Sequence, residues 1–112
     1  MENECKQQMK AFNDALNVVN GKWKVIIIGS LESGKKRYLE LQRMVEGIGT
    51  KMLSKELQEL ELNGLITRSV VQTRPITVEY ELTEHGRSIK HVVEEMALWG
   101  QQHRDKVING KL

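Results

Sequence analysis

Residues 47–82, GIGTKMLSKELQELELNGLITRSVVQTRPITVEYEL, decide the reading of this chain. From Leu53 the apolar positions fall at Leu53, Leu57 and Leu60, one stripe of a helix with a 3.6-residue period, so Lys51, Lys55 and Gln58 point the opposite way. The spacing predicts a helix from about Gly49 or Thr50 to Asn63, with Gly49 at the N-cap position and Gly64 as the left-handed stop. Beyond it, residues 65–72 and 76–82 are rich in β-branched side chains, and Val78, Tyr80 and Leu82 alternate with Glu79 and Glu81, which predicts the two strands of a hairpin. The tip, Thr73-Arg74-Pro75, is too polar for a core. Pro75 at the start of the second strand gives up a ladder donor at little cost.

Working outward, Met9, Phe12, Leu16 and Val19 follow a three-and-four spacing and predict a helix over about 7–19, stopped by Asn20-Gly21. In the next stretch, residues 21–34, the run Val25 to Ile28 suits a strand by propensity, yet Trp23, Ile27 and Leu31 sit four apart as on a helix. Periodicity leaves both open; the length of the apolar pattern favours a helix ending at Ser33-Gly34. Lys35-Lys36-Arg37 reads as a short basic connector. Tyr38, Leu41 and Val45, with Leu39 and Met44, define another short helix that stops at Gly47, and a glycine between two helical patterns suits a helix-turn-helix. Thr83 is a good N-cap for one long final helix over about 84–107, whose apolar positions are Ile89, Val92, Val93, Met96, Trp99 and Val107. Residues 109–112 are expected to be a frayed tail.

The chain has 112 residues, enough for one domain with a single modest core, and its 39% apolar and 29% charged shares are ordinary for a globular fold. The longest apolar run, Val25 to Ile28, is too short to span a bilayer, and the N-terminus MENECKQQ lacks the layout of a signal peptide; a cytoplasmic protein is expected, with no membrane partner. One cysteine, Cys5, cannot form an internal disulfide. Net charge is only +2, but its distribution is uneven: residues 1–21 hold two Lys/Arg against three Asp/Glu, residues 22–74 ten against six, and residues 75–112 five against six. The positive excess lies in the middle, where a phosphate-binding surface would need it.

A helix with a basic face, followed at once by a ribbon carrying Arg74, is the layout of a winged helix-turn-helix that places its helix in the major groove of DNA. The candidate DNA-binding residues are Thr50, Lys51, Ser54, Lys55 and Gln58 on the recognition helix, since lysines and helix N-terminal amides bind phosphate while Ser and Gln reach base edges. Arg74, with Gln72 and Thr73, would lie over the minor groove or its phosphates. Lys35, Lys36 and Arg68 are candidate phosphate contacts. The stripe of Ile89, Val92, Met96 and Trp99 is too large for one face of a lone helix to leave exposed, and with Met9, Phe12, Leu16 and Val19 it predicts a two-fold dimer interface. A two-fold dimer implies an inverted-repeat operator.

Four segments together resemble the HxlR-type winged-helix transcriptional regulators: GKW at Gly21 to Trp23, the segment Lys36 to Leu41, KMLSKELQELELNGLI at Lys51 to Ile66, and VEYELTEHGRSI at Val78 to Ile89. The resemblance covers nearly the whole chain. It implies a bacterial, homodimeric DNA-binding regulator related to the MarR group, mostly helical α+β in fold, with a two-stranded wing, with terminal helices at the dimer interface, and with a helical rather than extended Val25 to Ile28. Many members carry a redox-sensing cysteine followed by proline at a position that falls near Met9 or Lys10 here, and this chain has no cysteine there. Cys5, beside Lys6, is the candidate redox-sensing thiol, because a neighbouring cation favours the thiolate. Gly49, where members often carry Ser or Thr, is a second departure.

No Ser-His-Asp set, nucleotide-binding glycine loop or pair of inward carboxylates appears, which argues against an enzyme. His85, His91 and His103 lack partners at a metal-ligand spacing, His91 with Glu94 or Glu95 supplying two groups only; no metal or other cofactor is expected. Two alternatives to a simple DNA reader stand beside it. One is a winged helix used only for protein interaction. The other is a regulator that senses a small-molecule effector of unknown identity in a pocket between the dimer helices near Trp23 and Trp99.

Overall fold

The computed structural model describes residues 2–110 and runs α1 (Glu2–Val19), α2 (Trp23–Leu31), β1 (Lys36–Arg37), α3 (Tyr38–Met44), α4 (Thr50–Leu62), β2 (Ile66–Val71), β3 (Thr77–Leu82), α5 (Glu84–Ser88) and α6 (Lys90–Ile108). The β-branched run Val25 to Ile28 is helical because its neighbours bury it on one side: Ile27, Ile28 and Leu31 are closed from solvent, while Ile26 on the opposite side is 41% exposed. Packing overrides strand propensity here. Leu41 and Val45 from the α3 segment, Leu53, Leu57 and Leu60 from α4, Leu65 and Ile66 at the start of the hairpin, and Tyr80 and Leu82 from β3 complete the core. Leu39 and Met44, expected on the apolar side of α3, stand exposed instead.

β2 and β3 pair antiparallel in the register Ile66↔Leu82, Arg68↔Tyr80, Val70↔Val78 and Val71↔Thr77. The expected two-stranded wing is extended by one strand. Lys36 and Arg37, read from the sequence as a connector, pair with Tyr80 and Glu79 as β1, giving a three-stranded sheet in the order β1-β3-β2. Two polar residues have no periodicity to reveal a strand, and only the free edge of β3 makes them one. Pro75 lies in the turn, two residues ahead of β3, not in the strand itself.

The final helix is two. Thr83 caps α5: its Oγ1 accepts the Gly86 amide at 2.9 Å and donates to the Gly64 carbonyl at 2.6 Å. The regular pattern breaks at Ile89, which packs against the core, and Ser88 Oγ donates back to the His85 carbonyl at 2.5 Å, a local bond that competes with the helical ladder. α6 ends at Ile108, and the turn after it includes Gly110 at φ +66°; Lys111 and Leu112, part of the expected tail, lie outside the described residues.

Among the described residues, none of α1 or α6 is buried. The radius of gyration is 17.0 Å, against about 13 Å for a compact domain of this length. The accessible surface is 8572 Å², where a compact monomer of the same mass would expose about 6,300 Å². The two long terminal helices are arms that leave the core.

Candidate nucleic-acid interface

α4 is the centre of the site. A 13-residue helix is marginal in water by itself, so its orientation comes from Leu53, Leu57 and Leu60, each at most 1% exposed and each contributing about 2–3 kcal/mol of burial. With that stripe fixed, Thr50, Lys51, Ser54, Lys55 and Gln58 all stand exposed. Gly49 is the N-cap, extended at φ −82° and ψ 163°, and no side chain caps the first turn. The departure from Ser or Thr at this position therefore leaves the amides at the start of α4 without an internal acceptor, as an incoming phosphate requires.

Two sets of contacts hold α4 in place, and neither was read from the sequence. The Tyr38 hydroxyl donates to the Thr50 carbonyl at 2.9 Å and lies 3.1 Å from Ser54 Oγ, which ties the start of α3 to the first turn of α4. Lys24 Nζ on α2 meets Glu56 at 2.5 Å and also Glu59, both on α4. Burial alone would lower the Lys24 pKa, but the hydrogen bonds and charges of the two carboxylates outweigh it and raise it. Glu59 is held below the usual carboxylate range, chiefly by its hydrogen bond from Lys24. The signal available beforehand was the pair Glu56 and Glu59, one on the border of the apolar stripe and one three residues on, which needs a cation from a neighbouring element.

Arg68 joins the helix face through the sheet. It lies directly across from buried Tyr80, on the side of the sheet that packs on the core, and with Ser54, Gln58 and Glu61 the two line a polar cleft of about 400 Å³. At the wing tip Arg74 is exposed, whereas Thr73 is used by the turn: its Oγ1 donates to the Pro75 carbonyl at 2.8 Å and its amide to the Val71 carbonyl at 2.8 Å. Lys36 is likewise occupied, with Nζ donating to Ser33 Oγ at 3.0 Å and to the Gly34 carbonyl at 3.3 Å. Lys35 beside it is exposed. The geometry thus brings Thr50, Lys51, Ser54, Lys55, Gln58 and Arg68 to one region, places Arg74 at the hairpin tip, and turns Thr73 and Lys36 to local structure.

A helix-turn-helix formed by α3 and α4 is followed by a hairpin wing, and the family model described as HxlR-like helix-turn-helix matches residues 18–108. The chain belongs to the HxlR-like helix-turn-helix family. Among relatives of this HxlR-like chain, the uncharacterized HTH-type transcriptional regulator YtcD of Bacillus subtilis (strain 168) is 45% identical over 104 residues, covering 93% of the chain and 82% of YtcD. The solved structure of the redox regulator HypR in its reduced form has a TM-score of 0.79 at 38% identity, covering 88% of the chain and 98% of HypR. A MarR-family transcriptional regulator from Enterococcus faecalis V583 has a TM-score of 0.79 at 34% identity over 93% of each chain. The HxlR-like chain is accordingly a DNA-binding helix-turn-helix transcriptional regulator and not an enzyme.

Other candidate residues of the HxlR-like chain lie away from this face. Met9, Phe12, Leu16, Val92, Met96 and Trp99 are exposed on the two arms, Val19 and Ile89 half-buried at their roots. Cys5 is exposed on α1. Trp23 packs against the core with its ring 3.9 Å from where a side chain on Gly47 would begin, while Trp99 stacks on His103 with ring centroids 4.9 Å apart. The two tryptophans sit in different surroundings, one in the domain and one on an arm. No helix among the described residues is long and apolar enough to cross a membrane.

Proposed function

We propose that the chain acts as a cytoplasmic homodimer, each subunit a single winged-helix domain that reads half of an inverted-repeat operator. α4 enters the major groove with Lys51 and Lys55 on phosphates and Ser54 and Gln58 toward base edges, Arg68 extends this face from the sheet, and Arg74 lies on the flanking minor groove or backbone. The observation that carries the reading is the exposed polar face of α4, with an uncapped N-terminus, held rigid by a buried stripe behind it. A protein-interaction patch at the same place would need aromatic and apolar anchors, and this face offers lysine, serine and glutamine.

Dimerisation through α1 and α6 supplies the two-fold symmetry. The arms carry an unpartnered stripe that a second copy would cover, and two recognition helices related by a two-fold axis would lie about 34 Å apart, one turn of DNA. In a gel-shift titration with DNA from upstream of its own gene, binding should weaken steeply with salt. Lys51→Ala and Arg74→Ala should each reduce the slope of log K against log salt by about 1, with melting temperatures unchanged because both side chains are exposed. Unaltered affinity in both variants would sink the assignment of this surface.

A further inference from the structure

A mainly apolar opening lies away from the exposed face of α4, in the angle between α3 and the start of β3. β1 ends after two residues because the chain turns into α3 at Tyr38, so β3 has no β1 neighbour before Glu79. The space left there is about 520 Å³, a volume ordinary for a small-molecule site. Leu39 and Ile76, 61% and 62% exposed, and half-buried Val78 supply its apolar wall. Arg37 and Arg43 stand at its rim. One wall carboxylate, Glu40, is already occupied with the Arg37 amide at 3.0 Å, and Glu79 is 3.9 Å from Arg37 Nε; Arg43 has no ion pair among the described residues.

We infer that this cleft binds an amphipathic organic anion, a carboxylate on an aromatic or short aliphatic body, as an effector. The apolar body covers Leu39, Ile76 and Val78, and the carboxylate takes a charge-assisted pair of hydrogen bonds from Arg43. Tyr38 lines the same cleft and its hydroxyl is bonded to Thr50 and Ser54, so a ligand that shifts the start of α3 also shifts the first turn of α4, while contact with Ile76 and Val78 reaches the base of the wing. That coupling rests on the DNA-binding reading above; the binding site itself does not.

The test is an amide NMR titration of the full chain, without DNA, using 4-phenylbutyrate and its neutral amide as probes. The expected result is saturable shifts centred on residues 38–43 and 76–78, at least tenfold tighter for the carboxylate, and weakened about tenfold by Arg43→Ala, whose melting temperature serves as the folding control. A second variant, Ile76→Ser, should weaken both probes alike. Shifts that do not saturate, equal affinity for the neutral amide, or saturable shifts confined to α6 around Trp99 would each overturn the site. In the second arm, saturating phenylbutyrate should lower operator affinity of the wild type and leave Arg43→Ala unaffected; unchanged wild-type affinity overturns the coupling. Failure to bind any operator with or without probe counts against the DNA reading, and the NMR result then stands by itself.

Discussion

Lys24 ties α2 to α4 through two carboxylates. Its ammonium, 12% exposed, bridges Glu56 and Glu59 on α4, and Glu56 is itself almost closed from solvent. Lys24→Met would strand the Glu56 carboxylate and should cost about 2 kcal/mol in urea unfolding. The pH dependence follows from the directions of the shifts. Glu59 is depressed in the folded chain, so its contribution is present above about pH 4.3, the unfolded value, and is lost as pH falls through the lower folded one. Lys24 is raised, so its contribution is complete below about pH 10.4 and is lost as pH rises beyond that. Urea midpoints measured from pH 3 to 6 should therefore fall more steeply with acid for the wild type than for Glu59→Gln; identical profiles would show that the Glu59 contact with Lys24 contributes nothing. The sequence names all three residues yet cannot pair them, because they are 32 and 35 positions apart.

At the scale of elements, the joint between wing and arm holds the most crowded of the glycines. α5 crosses the start of the hairpin so closely that a Cβ on Gly86 would lie 2.0 Å from the Leu65 carbonyl oxygen, and that carbonyl is fixed by the Thr83 amide at 3.0 Å. Backbone cannot yield as a flexible side chain would. Gly86→Ala should lower stability by about 3 kcal/mol, read as a shift of the urea midpoint, whereas Gly100→Ala, with open space around it on α6, should leave the midpoint unchanged or raise it. The helix and hairpin of residues 50–82 were legible beforehand, because the period of 3.6 and then of 2 is written in Leu53, Leu57, Leu60 and in Val78, Tyr80, Leu82. β1 was not, since a two-residue strand has no period, and neither was the break at Ile89, since Ile89 fits the apolar spacing of one unbroken helix. The need for glycine at 86 arises only where two elements cross.

For the whole molecule, the excess of exposed surface over that of a compact monomer is about 2,000 Å², the scale of an obligate dimer interface. Phe12 and Trp99 are the large side chains of that surface, 55% and 66% exposed in the single chain. The Phe12→Asp, Trp99→Asp double variant should sediment as a monomer, lose the concentration dependence of its melting temperature, and bind an inverted repeat no better than a half-site; a double variant that still sediments as a dimer would place the interface elsewhere. The amino-acid sequence determined the order of α1 to α4 and the hairpin strands β2 and β3, the side of α4 that faces the core and the basic face opposite, because periodicity and turn chemistry act over a few neighbouring residues. Tertiary structure alone decided which of the candidate groups stay available. Thr73 and Lys36 are drawn into local turns, Arg68 is brought beside Ser54 and Gln58, and Lys24 is set behind them, because hydrogen bonds and ion pairs between distant segments depend on how the core stacks them.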